Sequence, residues 1–243
     1  MKFNQWELFY KQILDDFGFS KKTDEESANL LSIILKSQGS TKLENLLFNL
    51  PTKKIATKNF IVFGAGPSLK FSIKHIKKNL NIENYILIAA DGATTGLLEE
   101  KITPDIVVTD LDGKLEDLLI ANDLKSFFVI HAHGNNKEEI IKYTPKFKKV
   151  LGTTQSKPIA NLYNFGGFTD GDRAVFLAIA LGAKKILLGG MDFGKFVTNY
   201  SRPDMNVKVT IADEIKQKKL KYAEQLIEWI KNNENVDIIN IRK

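Results

Sequence analysis

From Asn59 onward, short apolar runs alternate with helical patterns, and this alternation limits the fold more than any other feature of the chain. The runs lie at 60–63, 85–90, 105–109, 127–131, 148–151, 185–189 and 236–241. Each has the length of a strand and falls short of a buried helix. Strands alternating with helices build a mainly parallel sheet with helices on both faces, a Rossmann-like α/β architecture. The final run follows a long amphipathic pattern, about 213–232, with Leu220, Ala223, Leu226, Ile227 and Ile230 on its inward face.

The stretch before Asn59 has another texture. Phe3, Trp6, Phe9, Tyr10, Ile13, Leu14 and Phe17 recur at spacings of three and four and predict a helix over 3–17. A second helix is expected from Thr23, which forms a capping box with Glu26 ahead of Leu30, Leu31, Ile34 and Leu35. The apolar segment 43–50 predicts a third, ending at Pro51. The expected organisation is an N-terminal helical appendage over 1–55 and an α/β domain over 56–243. A chain of 243 residues buries enough surface to need no staples. It contains no cysteine, which excludes disulfides, zinc–thiolate sites and thiol nucleophiles.

No apolar stretch reaches the ~18 residues of a membrane span, and the N-terminus lacks the layout of a signal peptide. A cytoplasmic protein without a membrane partner is expected. The net charge of +6 resides largely on helix-face lysines, among them Lys74, Lys77, Lys78, Lys216, Lys218, Lys219 and Lys221. No nucleic-acid motif or aromatic platform accompanies them, so they read as solvated surface. The oligomeric state is not legible, and a homodimer is compatible with the sequence.

The chemistry gathers where the strands end. The run 105–109 leads into Thr109-Asp110-Leu111-Asp112-Gly113. In an extended chain residues i and i+2 share a side, so Asp110 and Asp112 are expected to converge beyond the strand. Ligands of open α/β sheets bind there, and paired carboxylates suit a Mg²⁺ that carries phosphates; an ordinary Asp/Gly turn is the alternative. The first strand runs into Gly64-Ala65-Gly66-Pro67-Ser68-Leu69. Gly64 and Gly66 let backbone approach a ligand, Pro67 suits the first helical position, and the helix N-terminus from Ser68 offers N–H groups to an anion. Leu69 stands where a dinucleotide fingerprint has its third glycine and no Walker A lysine follows, so a phosphate loop and a plain turn both fit.

The second strand ends in Asp91-Gly92-Ala93 and the fourth in His131-Ala132-His133-Gly134-Asn135-Asn136. Two imidazoles without a third suit proton donation or phosphate contact better than metal ligation, with a core or capping role as the alternative for His131. Within Asn164–Arg173, Asp170 reads as a helix N-cap. Asp172 and Arg173 then fall in the first turn, where an arginine is disfavoured by the helix dipole and better explained by an anionic ligand. The sixth strand ends in Gly189-Gly190-Met191-Asp192-Phe193-Gly194. A carboxylate-rich rim in a basic chain implies a divalent cation. The segment 195–212 shows no clear pattern and is either a closing lid or a simple excursion.

Taken in order, Gly64–Leu69, Ala90–Ala93, Pro104-Asp105 with Thr109–Gly113, His131–Asn136, Gly167–Ala174 and Gly189–Gly194 resemble the archaeal 6-hydroxymethyl-7,8-dihydropterin diphosphokinase family. The resemblance is close over about 59–194 and looser at Tyr200-Ser201 and Lys216–Leu220. That family resembles the catalytic domain of thiamine pyrophosphokinases, whose metal motif is Gly-Asp-x-Asp-Ser; here Thr109 and Gly113 replace its Gly and Ser. The resemblance implies transfer of a diphosphate from ATP to the hydroxymethyl group of the dihydropterin, with Mg²⁺ as cofactor and AMP as second product. It assigns Mg²⁺ to Asp110 and Asp112, completed by Asp170 or Asp172, and catalysis to Asp110, Asp112, Asp172 and Arg173. Gly64, Gly66, Pro67, Ser68, His133 and Lys219 would meet the nucleotide or its phosphates. Asp91 or Asp192 would bind the pterin's amino-pyrimidine edge, and Phe165, Phe168 or Phe193 would stack on its ring, each being equally suited to the core. The alternatives are a sialyltransferase-like glycosyltransferase using a nucleotide sugar, and a nucleotide-binding module without turnover.

Overall fold

The computed structural model describes residues 1–48 and 50–241. Its strands are β1 (Asn59–Phe63), β2 (Ile86–Ala90), β3 (Ile106–Thr109), β4 (Phe127–Ala132), β5 (Val150–Thr154), β6 (Leu162–Tyr163), β7 (Lys185–Gly189), β8 (Phe196–Thr198), β9 (Val209–Ile211) and β10 (Asp237–Ile241). Its helices are α1 (Phe3–Phe17), α2 (Lys21–Gln38), α3 (Asn45–Phe48), α4 (Thr52–Thr57), α5 (Leu69–Asn79), α6 (Ala93–Glu99), α7 (Leu115–Asp123), α8 (Lys137–Tyr143), α9 (Asp170–Ala180) and α10 (Glu214–Asn233). Eight strands form one sheet in the order β10-β7-β1-β2-β3-β4-β5-β6, all pairs parallel. β8 and β9 make a separate antiparallel hairpin out of 195–212, the segment without a sequence pattern. Among the described residues no helix is long and apolar enough to cross a membrane.

Alternate residues of each strand leave the sheet on opposite faces, and both faces are apolar because both are covered. Phe60, Val62, Ile86, Ile88, Ile106, Val108, Ile186 and Leu188 pack under α1, α9 and α10. Their neighbours Ile61, Phe63, Leu87, Ala89 and Leu187 pack under α5 and α6, and Val107, Phe128 and Ile130 under α2, α7 and α8. The N-terminal helices belong to this cover. Trp6, Tyr10 and Ile13 of α1 share the core of one face, while Ala28, Leu31 and Leu35 of α2 share that of the other. The boundary expected after residue 55 falls inside α4.

Several ends differ from the sequence reading. α2 starts at Lys21, because the Ser20 side chain accepts from the Thr23 backbone N–H at 3.4 Å and serves as N-cap. The Thr23–Glu26 capping box does not form, and Glu26 instead pairs with Lys137. Of the helix expected over 43–50 only Asn45–Phe48 is helical, and Asn49 lies outside the described residues. β5 extends to Thr154, past the expected 148–151.

From β1 the chain proceeds outward to β6, then returns through α9 to β7 on the other side of β1. The crevice of such a reversal is where open parallel sheets bind ligands. Here the two exit loops are tied together, with Gly64 N–H donating to Gly189 O at 2.8 Å and Gly66 N–H to Gly190 O at 2.9 Å.

Candidate active site

Beyond the carboxyl ends of the strands lies a cavity of about 370 Å³. Its acidic floor comes from three chain exits. At the end of β3 the Thr109 hydroxyl donates to Asp91 Oδ1 and accepts the Leu111 N–H at 2.8 Å. The chain turns over at Leu111, whose φ is 72° and whose side chain is buried in the core. The stretch is therefore not extended, yet the carboxylates of Asp110 and Asp112 still lie close enough to shift each other's pKa, and both line the cavity. Asp91, Asp112 and Asp170 bring carboxylate oxygens within 4.8 Å of one another. Asp110 turns Oδ2 to His133 Nε2 at 3.0 Å, and its Oδ1 is buried without a hydrogen-bond partner among the described residues. So of the trio Asp110, Asp112 and Asp170 expected from sequence, Asp112 and Asp170 cluster with Asp91, and Asp110 lines the same cavity beside them. Asp91, expected at the pterin edge, stands in the acidic cluster. Gly113 permits this: a Cβ there would lie 2.1 Å from Asp91 Oδ2.

These carboxylates resist ionising together. Burial and the charge of Asp110 push Asp91 up to about 6. Burial, then Asp110, Asp91 and Asp170, raise Asp112, and burial with Asp110 raises Asp170 well above the usual range. Against its own burial, Asp110 is held below that range by the hydrogen bond and charge of His133. Hard oxygen donors that repel one another, with an orphaned buried oxygen on Asp110 beside them, fit a divalent cation of the Mg²⁺ type.

Cationic groups line the same cavity: Arg173 at the start of α9, and Lys216 and Lys219 from α10. Arg173 is only 7% exposed; its Nη1 lies 3.2 Å from Asp170 Oδ1 and its Nη2 donates to Gln155 Oε1 at 3.3 Å. Burial, then Lys216 and Arg173, lower the pKa of Lys219. The N-cap of α9 is Thr169, not Asp170, which makes Asp172 its capping-box partner. The Asp172 carboxylate accepts the N–H groups of Phe168 at 2.6 Å and Thr169 at 2.8 Å. It is fully buried and is not among the residues that line the cavity, where the sequence placed it in contact with metal or substrate.

On the β1/β7 side Gly64, Ala65 and Gly66 line the cavity, whereas Pro67 and Ser68 do not. The Ser68 N–H expected to meet phosphate donates to Asp192 Oδ2 at 2.9 Å. A Cβ on Gly66 would lie 2.3 Å from that oxygen. The anion position at the α5 N-terminus is thus filled by the protein's own carboxylate. Phe193, Phe196 and Val197 continue this wall, and the hairpin is fastened to it by the Thr198 hydroxyl, which donates to Ala65 O at 2.6 Å. Phe168 lines the cavity but is held in the core by Phe17 and Tyr222, ring centroids 5.2 and 5.9 Å away. Phe165 stacks on Tyr163 and lies outside the cavity.

The two histidines divide as their exposure demands. His133 lines the cavity. His131 does not: it is buried, its Nδ1 lies 3.0 Å from Thr153 Oγ1, and burial and Arg173 keep its pKa well below the ordinary value. Asn136 holds the loop between them, donating to Asp110 O at 2.8 Å and His131 O at 2.7 Å. Asp24 and Gln155 also line the cavity and were not singled out from sequence, and Lys216, read there as solvated surface, lines it as well. For Asp24 a signal existed, since a carboxylate sits on the apolar stripe formed with Ala28, Leu31 and Leu35. Gln155 carries no such mark.

Residues 32–197 match the family described as 6-hydroxymethylpterin diphosphokinase MptE-like. The chain is 50% identical over 238 residues to the 6-hydroxymethyl-7,8-dihydropterin pyrophosphokinase of Methanothermobacter thermautotrophicus, covering 98% of this chain and 99% of that protein. It is 45% identical over 246 residues to the protein so named from Methanocaldococcus jannaschii, covering 98% and 100%. The like-named protein of Pyrococcus furiosus is 44% identical over 239 residues, covering 98% of each. A glycosyltransferase structure from Magnetospirillum magneticum AMB-1 aligns at a TM-score of 0.48 and 17% identity over 76% of this chain and 31% of that one, too distant to bear on the reading.

Proposed function

Since the chain belongs to the MptE-like family of 6-hydroxymethylpterin diphosphokinases, we propose that it transfers a diphosphate from ATP to 6-hydroxymethyl-7,8-dihydropterin in the cavity above the sheet. The pterin hydroxyl forms a bond to the β-phosphorus, the bond from that phosphorus to the α,β-bridging oxygen breaks, and AMP leaves; the hydroxyl proton is released. The observation that carries this reading is the meeting, in one cavity, of three carboxylates within 4.8 Å of one another with Arg173, Lys216 and Lys219. Diphosphoryl transfer asks mainly for positioning and charge neutralisation.

Asp91, Asp112 and Asp170, backed by Asp110 Oδ1, would hold Mg²⁺, which when bound neutralises phosphate charge and orients the diphosphate. Arg173, Lys216 and Lys219 meet the remaining phosphate oxygens, and His133 keeps Asp110 in place while facing the same space. The free oxygen of Asp192 is suited to the donor edge of the pterin, because a carboxylate matches an N–H beside an NH₂. Phe193 and Phe196 supply the flanking apolar surface there. Gly64, Ala65 and Gly66 offer close backbone approach on that side.

The test is ³¹P NMR of an anaerobic reaction containing the protein, ATP, Mg²⁺ and the dihydropterin. The reading expects AMP and a pterin ester with two mutually coupled phosphorus signals. ADP with a single-phosphorus ester, or unchanged ATP, would overturn it.

A further inference from the structure

Arg173 ends a chain of buried hydrogen bonds that runs back to α2. Its Nη2 donates to Gln155 Oε1 at 3.3 Å, and the Gln155 amide donates from Nε2 to Asp24 Oδ2 at 2.9 Å. The carboxylate of Asp24 also accepts the Tyr10 hydroxyl at 2.6 Å on Oδ2 and the Gly134 N–H at 2.7 Å on Oδ1. Asp24 is 2% exposed and Gln155 4%, so water does not replace these partners freely.

The polarity of this chain of bonds permits one arrangement. A guanidinium only donates and a carboxylate only accepts. Gln155 between them satisfies both with its carbonyl toward Arg173 and its NH₂ toward Asp24. We propose that Asp24 is a positioning residue for diphosphoryl transfer: by locking the Gln155 amide it aims Arg173 into the cavity, and by holding Gly134 it steadies the loop that carries His133. The proposal rests on the reading above, in which Arg173 meets phosphate. It gives the α1–α2 segment a part in the reaction, and Asp24 lies outside the 32–197 stretch that matches the family.

Asp24→Asn separates this role from bulk packing. The Gly134 N–H is fixed by its backbone, so the asparagine oxygen must face it, leaving the new NH₂ toward Tyr10 and Gln155. The tyrosine hydroxyl can rotate to accept. Gln155 can accept only by flipping, which turns its own NH₂ onto Arg173, donor against donor. Tyr10→Phe is the control, since it removes a bond to Asp24 but leaves the acceptor that orients Gln155.

The first readout is the side-chain ¹H–¹⁵N NMR signal of Arg173 in protein without substrate. It is expected to shift or broaden in Asp24→Asn and to stay in place in Tyr10→Phe. The second is steady-state turnover. In Asp24→Asn, kcat/KM for ATP should fall about 10- to 100-fold, with KM for the pterin unchanged and no further loss when Arg173→Gln is added. An unmoved Arg173 signal, or losses that multiply in the double variant, would overturn the positioning role. A moved signal in a protein that never forms AMP would leave the aiming of Arg173 standing and overturn the diphosphokinase reading instead.

Discussion

Burial, and next the charge of Asp110, raise the pKa values of Asp91, Asp112 and Asp170, which the fold crowds together. Replacing Asp112 by Asn should therefore do two opposite things. Mg²⁺-dependent turnover should fall by about 100-fold or more, while the metal-free thermal midpoint should hold or rise, since the cost of keeping that crowded carboxyl protonated in the folded chain is gone. Steady-state assay and calorimetry on the same sample check both. The sign of the pH dependence follows from the same crowding. Groups with raised folded-state values keep their protons in the folded chain, so their favourable contribution is complete below the unfolded carboxylate value of about 4. It is lost as pH climbs through the value of about 6 for Asp91. Metal-free protein should lose thermal stability across that window, and the stabilisation by added Mg²⁺ should grow. Gly113→Ala should cost Mg²⁺ affinity, because its Cβ would lie 2.1 Å from Asp91 Oδ2; metal titration calorimetry measures it. At this scale the sequence was readable wherever a strand end carried a carboxylate, and Asp110, Asp112, Asp170 and Arg173 were all visible. The approach of Asp91 to Asp112 and Asp170 was not, because it turns on the left-handed backbone at Leu111, which no composition rule marks.

The elements were legible where their periodicity was strong. α1, α10 and the seven expected strands lie close to where the apolar spacing puts them, whereas the short β6, β8 and β9 carry no such spacing. The caps of α2 and α9 moved by three residues and one residue, because several Ser, Thr and Asp side chains competed for each N-terminus and local backbone geometry chose between them. The Pro104-Asp105 turn shows what pattern alone leaves out. Its Asp105 carboxylate accepts Lys54 Nζ at 2.7 and 2.9 Å and the Leu87 N–H at 2.8 Å, fastening α4 to the amino end of the sheet. Lys54→Met should lower unfolding free energy by about 3 kcal/mol, since it strands a largely buried carboxylate. Turnover should be unaffected, the pair lying at the end of the sheet away from the cavity. Chemical denaturation alongside the activity assay separates the two.

Over the whole molecule, parallel strands deliver every exit loop to one rim, and the reversal between β1 and β7 opens the crevice there. This much follows from strand–helix alternation. The placement of the first fifty residues does not: their aromatic stripe announces burial but not against what. Trp6 is 1% exposed and donates to Gln155 O at 2.7 Å, so α1 supports the core and the floor of the cavity at once. Trp6→Ala should cost about 3–5 kcal/mol of stability, far more than loss of a detached appendage would. Such dependence on the N-terminal helices would appear in the denaturation midpoint of the full chain. The account as a whole stands on the joint action of acidic cluster and cations on one diphosphate. Its most direct test is AMP formation against Mg²⁺ concentration, with and without dihydropterin, for the unmodified protein and Asp112→Asn. The account predicts AMP equal to pterin diphosphate, saturable in Mg²⁺, absent without pterin and lost in the variant. AMP formed without metal, or at an undiminished rate in Asp112→Asn, would contradict it.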